Sequence, residues 1–308
     1  MALSLATGHG IAGRYHLRAP VSDAPFGERW RAVDDDGPEA WITFLTPPRA
    51  KIPTYIRDGL LAALRDFGHP HARAVTDTGT HTDTLFVATG VPPGQPLRAW
   101  LVDLRAQGRS VALRDARTIF DQVTQALAAA HRVDNDNPLV HGATLIESVT
   151  LERRGEVQLV AAVGDLGLLT LIEPQSVTLP PGADPERPLP TDDLFGVGAL
   201  LAELLTGIAP GSYHDVDALM ARFAVARPEV DPSVWRIAQA CLCLDPAGRP
   251  ANMGRVREMI RGALWAPREI RGTPEPRRDS GSSGTQPPGG GVSSGAVRKN
   301  AGTRAATS

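Results

Sequence analysis

Lysine is almost missing from this chain. Lys51 and Lys299 are the only two in 308 residues, so thirty of the 32 basic side chains are arginine. A site built on a compact, flexible ammonium group therefore has two places to find one. A GC-rich coding bias that turns lysine into arginine accounts for the shortage as readily as selection does, and either origin leaves the chemistry without its lysines. Cysteine is equally scarce. Cys241 and Cys243 stand two apart, which is neither a metal quartet nor a disulfide framework, and the reading is helix packing in a reducing compartment. Excess positive charge is also lacking: a net charge of -2 argues against a dedicated nucleic-acid binder. No apolar run is long enough for a membrane. The longest, from Leu194 to Pro210, is interrupted by Glu203 and falls short of the ~20 residues a span needs. Met1 to Ala12 has no charged segment ahead of an apolar run, so it does not read as a secretory signal. These absences predict a cytoplasmic protein.

What is present is ordinary for a globular chain. A hydrophobic content of 42% supports a sizeable core in one large domain or two lobes, and no internal repeat is visible. Arg14 to Leu45 alternates or carries β-branched stretches broken by Pro25, Gly27 and Gly37, predicting antiparallel strands. Ile56, Leu60, Leu61, Leu64 and Phe67 recur at helical spacing and stop at Gly68. Leu85 to Ala88 reads as a strand, and Gly90 to Gly94 as a hinge. Ala116, Ile119, Phe120, Val123, Leu127 and Ala130 predict a long helix, and further helices are expected at about 193 to 206, 215 to 226, 232 to 243 and 251 to 263. From Ala266 to Ser308 the chain is Gly, Ser, Pro, Thr and Arg with almost no large apolar residue. Such a segment cannot bury enough surface to offset its ordering entropy and is expected to be disordered.

Four stretches in order carry a resemblance: Phe26-Gly27-Glu28-Arg29-Trp30-Arg31-Ala32-Val33-Asp34, Gly68-His69-Pro70-His71, Asp193-Leu194-Phe195-Gly196-Val197-Gly198 running into Glu203-Leu204-Leu205-Thr206-Gly207, and Asp245-Pro246-Ala247-Gly248-Arg249-Pro250. Together they resemble a bacterial serine/threonine protein kinase domain. The resemblance implies an α+β bilobal fold, with a small antiparallel N-lobe carrying one main helix and a larger, mostly helical C-lobe. It sets an extension at 1–12, the domain at 13–264 (N-lobe 13–90, C-lobe 95–264) and the tail at 265–308.

The residues that such a domain uses for chemistry are largely replaced. A kinase holds ATP phosphates under a glycine-rich hairpin, with a strand lysine on the phosphates and a helix glutamate on that lysine. Here the first two loop glycines fall on Ser22 and Ala24, Pro25 removes a backbone donor, and Gly27 alone remains for nucleotide binding. Thr43 stands at the lysine position and Leu60 at the glutamate, with Gly59 or Asp58 one or two residues away. Lys51 offers an alternative cation, against its reading as a solvated loop residue. In the catalytic loop after Pro138-Leu139-Val140-His141, Ala143 replaces the aspartate, Leu145 the lysine and Ser148 the metal-holding asparagine. An alanine cannot accept a proton. The metal-ligand position falls on Asp165 in Asp165-Leu166-Gly167, or on Ala161 if the preceding hairpin has no insertion. A lone carboxylate is a poor holder of Mg-ATP.

The structural markers survive. By the resemblance, His141 is a core histidine, Asp193 holds the catalytic-loop backbone, Gly198 sits in the central C-lobe helix, and Glu186 pairs with a buried Arg249. The implied molecule is a pseudokinase, with no catalytic residue and no cofactor expected, acting as a regulatory or scaffolding protein in bacterial phosphorylation signalling. Its pattern of losses is similar in style to pseudokinase domains on some lipid II flippases of the actinobacterial type, which dock a phosphothreonine-reading partner. A forkhead-associated-domain protein or an active Ser/Thr kinase is therefore the expected partner, with Thr273 the nearest tail phosphosite. The alternatives are a weak or atypical kinase using Mg and ATP, and an ATP-binding sensor without phosphotransfer.

Overall fold

The structure, a computed structural model, describes residues 4–21, 25–35, 37–49, 52–134, 137–143, 145–155, 158–174, 177–207 and 216–268. Ser22, Ala24, Lys51, Thr144, Thr273 and the rest of the tail from residue 269 lie outside the described residues.

Alternating apolar residues in the first part of the chain build the N-lobe. Strands β1 (Gly10–Ile11), β2 (Tyr15–Val21), β3 (Gly27–Asp34), β4 (Glu39–Leu45), β5 (Val75–His81) and β6 (Thr84–Gly90) form one sheet in the order β1-β2-β3-β4-β6-β5. One face buries Tyr15, Leu17, Trp30, Ile42, Phe44 and Phe86. Because side chains alternate along a strand, the other face carries Arg29, Trp41 and Thr43 toward the C-lobe. Arg29 lies opposite Thr43 and Arg31 opposite Trp41 in the β3–β4 pairing. The helix predicted around Leu60 is α1 (Thr54–Asp66), which buries Leu61 and Leu64. Ile11 is fully buried and β1 pairs with β2, so packing begins ahead of the expected boundary at residue 13. It also runs past 264, since Trp265 is buried and donates to the Ile260 carbonyl.

The C-lobe begins after the connector with β7 (Gln95–Pro96) and α2 (Leu97–Ala106), a helix the periodicity reading did not separate from its surroundings. Helix α3 (Leu113–Ala130) buries the predicted stripe Ala116, Ile119, Phe120, Val123, Leu127 and Ala130. Strands β8 (Val149–Arg154) and β9 (Gln158–Val163) form a hairpin, followed by α4 (Pro190–Thr206), α5 (Val216–Ala226), α6 (Pro232–Cys241) and α7 (Met253–Gly262). From Leu194 to Leu205 helix α4 is apolar except for Glu203, whose buried carboxylate accepts from Arg98 at 2.8 Å, and the whole stretch is buried, as a helix without a polar face must be. Gly207, left-handed at φ 68°, ends it. Gly198 lets α4 approach α6 closely: a Cβ there would stand 2.7 Å from the Cys241 Cβ.

That contact generates a test. Gly198→Ala overpacks the α4–α6 contact and should lower unfolding free energy by about 1–3 kcal/mol. Gly59→Ala on α1, where a Cβ meets nothing within 4 Å, should instead raise it by up to about 1 kcal/mol. Urea denaturation of the two variants should separate in opposite directions.

Candidate functional site

The site is built around one carboxylate. Asp165 lies in the turn Gly164–Gly167 after β9, with a left-handed backbone at φ 60° and its side chain 4% exposed. Left alone, a carboxylate at that depth would be neutral. Three donors reach it. The Arg29 guanidinium, coming from β3, donates to Oδ1 at 2.5 Å. Arg73, from the loop between α1 and β5, donates to Oδ2 at 3.2 Å, and the Ser148 hydroxyl donates to the same oxygen at 2.9 Å. Burial pushes the Asp165 pKa up, but the two guanidinium charges outweigh it and hold the acid well below the usual carboxylate range. Burial draws Arg73 down to about 10, which leaves it charged at neutral pH.

The arginines are themselves positioned. Arg29 Nε donates to Thr43 Oγ1 at 2.8 Å, so Thr43 serves as a rest for a cation supplied by the neighbouring strand. Both guanidinium groups lie over the Trp41 ring, each 5.4 Å from its centroid. Arg73 also donates to the Ser148 carbonyl at 3.2 Å. It fits because residue 164 is glycine: a Cβ there would stand within 2.2 Å of three guanidinium atoms.

Hydrogen bonds extend this cluster into the segment from His141 to Ala143. Ser148 has a single hydroxyl proton, which it gives to Asp165, so its oxygen must accept from His141 Nε2 at 2.8 Å. His141 Nδ1 in turn accepts the Ala143 N–H at 3.3 Å. The histidine is then neutral with its proton on Nε2, consistent with burial pushing its pKa down. Asp193, at the start of α4, accepts the backbone N–H groups of His141 (3.0 Å) and Gly142 (2.7 Å) and contacts His131 Nε2 at 2.8 Å. Phe26 closes the remaining space. Fully buried, it belongs to the same apolar cluster as the C-lobe core and stands edge-on to His141 at 5.2 Å between centroids.

The other singled-out positions have packing roles. Gly27 at φ 144° is required by the β3–β4 pairing, because a Cβ would stand 2.0 Å from the Phe44 carbonyl oxygen. Leu60 and Leu64 lie against Gly167, and Leu145 against Gly196. Ala143 is buried at the floor. Ala161 is a core residue of β9, so Asp165 is the residue that meets Ser148.

One expected pair is not formed. Glu186 lies on the surface with its side chain 76% exposed, nearest to Arg49 at 3.8 Å. Arg249 is buried, but it donates to the carbonyls of Cys243, Thr191 and Pro181 and stacks on Phe195. Its nearest carboxylate is Asp192, at 3.8 Å. The physical reason is local: carbonyls from three segments already surround the guanidinium, and Asp192 supplies the countercharge from the first turn of α4.

The arrangement does not fit a magnesium ion. Both Asp165 oxygens accept from charged or hydroxyl donors, and among the described residues no group of three or more His, Cys, Asp or Glu is placed to hold a metal. Arg29, Arg73 and Trp41 meet at Asp165 and Phe26 packs on His141, contacts that the sequence reading did not assign. The available signal was register: alternation through β3 and β4 turns Arg29 inward beside Thr43.

Comparison with known proteins agrees with the fold. No family model matches the chain. It is 23% identical to the serine/threonine-protein kinase pkn3 of Myxococcus xanthus, over 91% of this chain and 55% of that protein. The chain thus spans about half the length of the curated relative it matches. The kinase domain of Mycobacterium tuberculosis PknI superposes with a TM-score of 0.62 at 18% identity, covering 84% of this chain and 99% of that domain. A double mutant of the same domain gives 0.63 at 18%, with the same coverage. The fold is therefore the bilobal α+β protein-kinase fold, and the sequence relative is a bacterial Ser/Thr kinase.

Removing the central carboxylate should strand two buried cations. Asp165→Asn is expected to cost about 3–5 kcal/mol at pH 7, measured by urea denaturation. The sign of the pH effect follows from a folded pKa held below the unfolded one. Asp165 contributes its full stability above about pH 4 and loses it as pH falls toward the folded value. Wild type should lose this increment on acidification, and Asp165→Asn should not.

Proposed function

We propose that this chain is a catalytically inactive kinase-fold module that acts by binding other proteins in bacterial Ser/Thr phosphorylation signalling. The observation that carries the reading is the saturated Asp165 carboxylate: the group expected to hold the metal accepts from Arg29, Arg73 and Ser148 instead. Ala143 offers no base, and Phe26 fills space beneath the hairpin. With the cleft occupied by its own side chains, the scaffold's outer surfaces become its means of action. On this reading the module works in the cytoplasm, its partner is a phosphothreonine-reading forkhead-associated protein or an active kinase, and Thr273 is the position to be phosphorylated.

One observation favours a second reading. Arg29 brings a cation from the adjacent strand to the place where Thr43 supplies none, which suits weak phosphotransfer or nucleotide sensing if the cluster opens. Among the described residues no helix is long and apolar enough to cross a membrane.

Thermal unfolding with saturating ATP decides between the two. The inactive module should show no stabilisation with ATP plus Mg or with ATP plus EDTA. Ligand at about 100 times its dissociation constant would add ~2.7 kcal/mol, a shift of several degrees. A shift that needs Mg would overturn the proposal in favour of an enzyme, and one indifferent to Mg would make the chain a nucleotide sensor.

A further inference from the structure

Six of the nineteen residues from Ile172 to Pro190 are proline. Each proline brings a carbonyl acceptor and no N–H, so this stretch has more acceptors than its own backbone donors can meet. Arginine side chains from both lobes supply donors. Arg249, in the C-lobe, donates to the Pro181 carbonyl at 2.6 Å. Arg49, in the loop between β4 and α1, donates to the carbonyls of Ile172 at 3.2 Å, Pro185 at 2.7 Å and Glu186 at 3.3 Å.

Arg49 ties the stretch to the N-lobe. Its backbone N–H donates to the Leu171 carbonyl at 3.1 Å, and the Glu173 N–H donates to the Pro47 carbonyl at 2.9 Å, which makes a short antiparallel bridge between Pro48 and Ile172. From that bridge the side chain reaches on to Pro185 and Glu186. It is 9% exposed, whereas the Glu186 carboxylate is 76% exposed and 3.8 Å away, so carbonyls rather than an ion pair hold the contact. A planar fork of N–H donors can serve both legs of the stretch at once, which a single ammonium group could not.

The surface beneath is apolar. Thr178, Leu179 and Pro180 share a recess with Ala143 and with Phe195 and Ala199 of α4. Leu179 packs on the C-lobe core, and Pro188 stands beside Gly142.

We propose that Arg49 is a latch: it holds the run Val177–Leu189 down over Ala143 and α4, and its release uncovers them while the rest of the fold stays intact. Its contacts do not include Asp165, so the device stands whether or not the cleft takes nucleotide.

Native-state amide hydrogen exchange of the whole chain, read by mass spectrometry, tests the latch. In wild type, the amides of Val177–Leu189 should exchange through a local opening, at least about tenfold faster than those of α4 and with little dependence on low concentrations of urea. Arg49→Gln should speed exchange in that run by at least about a further tenfold, the effect of losing charge-assisted hydrogen bonds, and should leave α4 unchanged. Glu186→Gln, which removes only the exposed carboxylate, should match wild type. The proposal is overturned if the wild-type run exchanges only together with α4, if Arg49→Gln leaves the run unchanged or speeds α4 equally, or if Glu186→Gln alone releases it. Should Arg49→Gln fail to fold, the urea dependence of wild type and the Glu186→Gln variant still decide.

Discussion

One buried carboxylate between two buried guanidinium groups organises this molecule. Asp165 belongs to the C-lobe, Arg29 to the N-lobe sheet and Arg73 to the loop that follows the N-lobe helix. None of the three charges is tolerable alone at 4–5% exposure. Each becomes acceptable only when the two lobes meet and the others are in place. The closed arrangement is therefore a condition of burying these charges, where a nucleotide-dependent kinase would use metal and phosphate for the same countercharge.

The same constraint connects features that look unrelated in the sequence. Thr43 accepts from Arg29, and Gly164 leaves room for Arg73. Ser148 passes the cluster's hydrogen bonding on to His141, which rests against Phe26 and is tied through its backbone to Asp193. Each of these residues thus supplies packing or hydrogen bonds to another. Local choices agree with one another around Asp165, which is the consistency expected of a sequence that specifies a single state.

The fold was legible because its signals are periodic and local. The apolar stripe of α3, the mainly apolar α4 with its terminating glycine, and the alternation in β3 and β4 each state a local geometry that packing could only complete. The cleft was legible in part. Thr43, Ala143 and Leu145 could be named in sequence, because the absence of a charge or a proton acceptor is visible in the residue itself. What replaced it was not visible. The contacts of Arg29 and Arg73 with Asp165 span 136 and 92 residues, and no local pattern encodes such partners. Arg249 failed for the same reason: its buried state followed from the motif, whereas its carbonyl partners and Asp192 depend on how distant segments converge.

A double-mutant cycle on Arg29 and Asp165 tests the central claim most directly. Unfolding free energies of wild type, Arg29→Met, Asp165→Leu and the double variant isolate the interaction between the two side chains. If the pair locks the lobes as described, the coupling should reach about 2–3 kcal/mol, and the double variant should be more stable than Asp165→Leu, which strands both Arg29 and Arg73 where the double variant strands Arg73 alone. Coupling near zero, with the two substitutions simply adding, would contradict a closed cleft held by its own ion cluster.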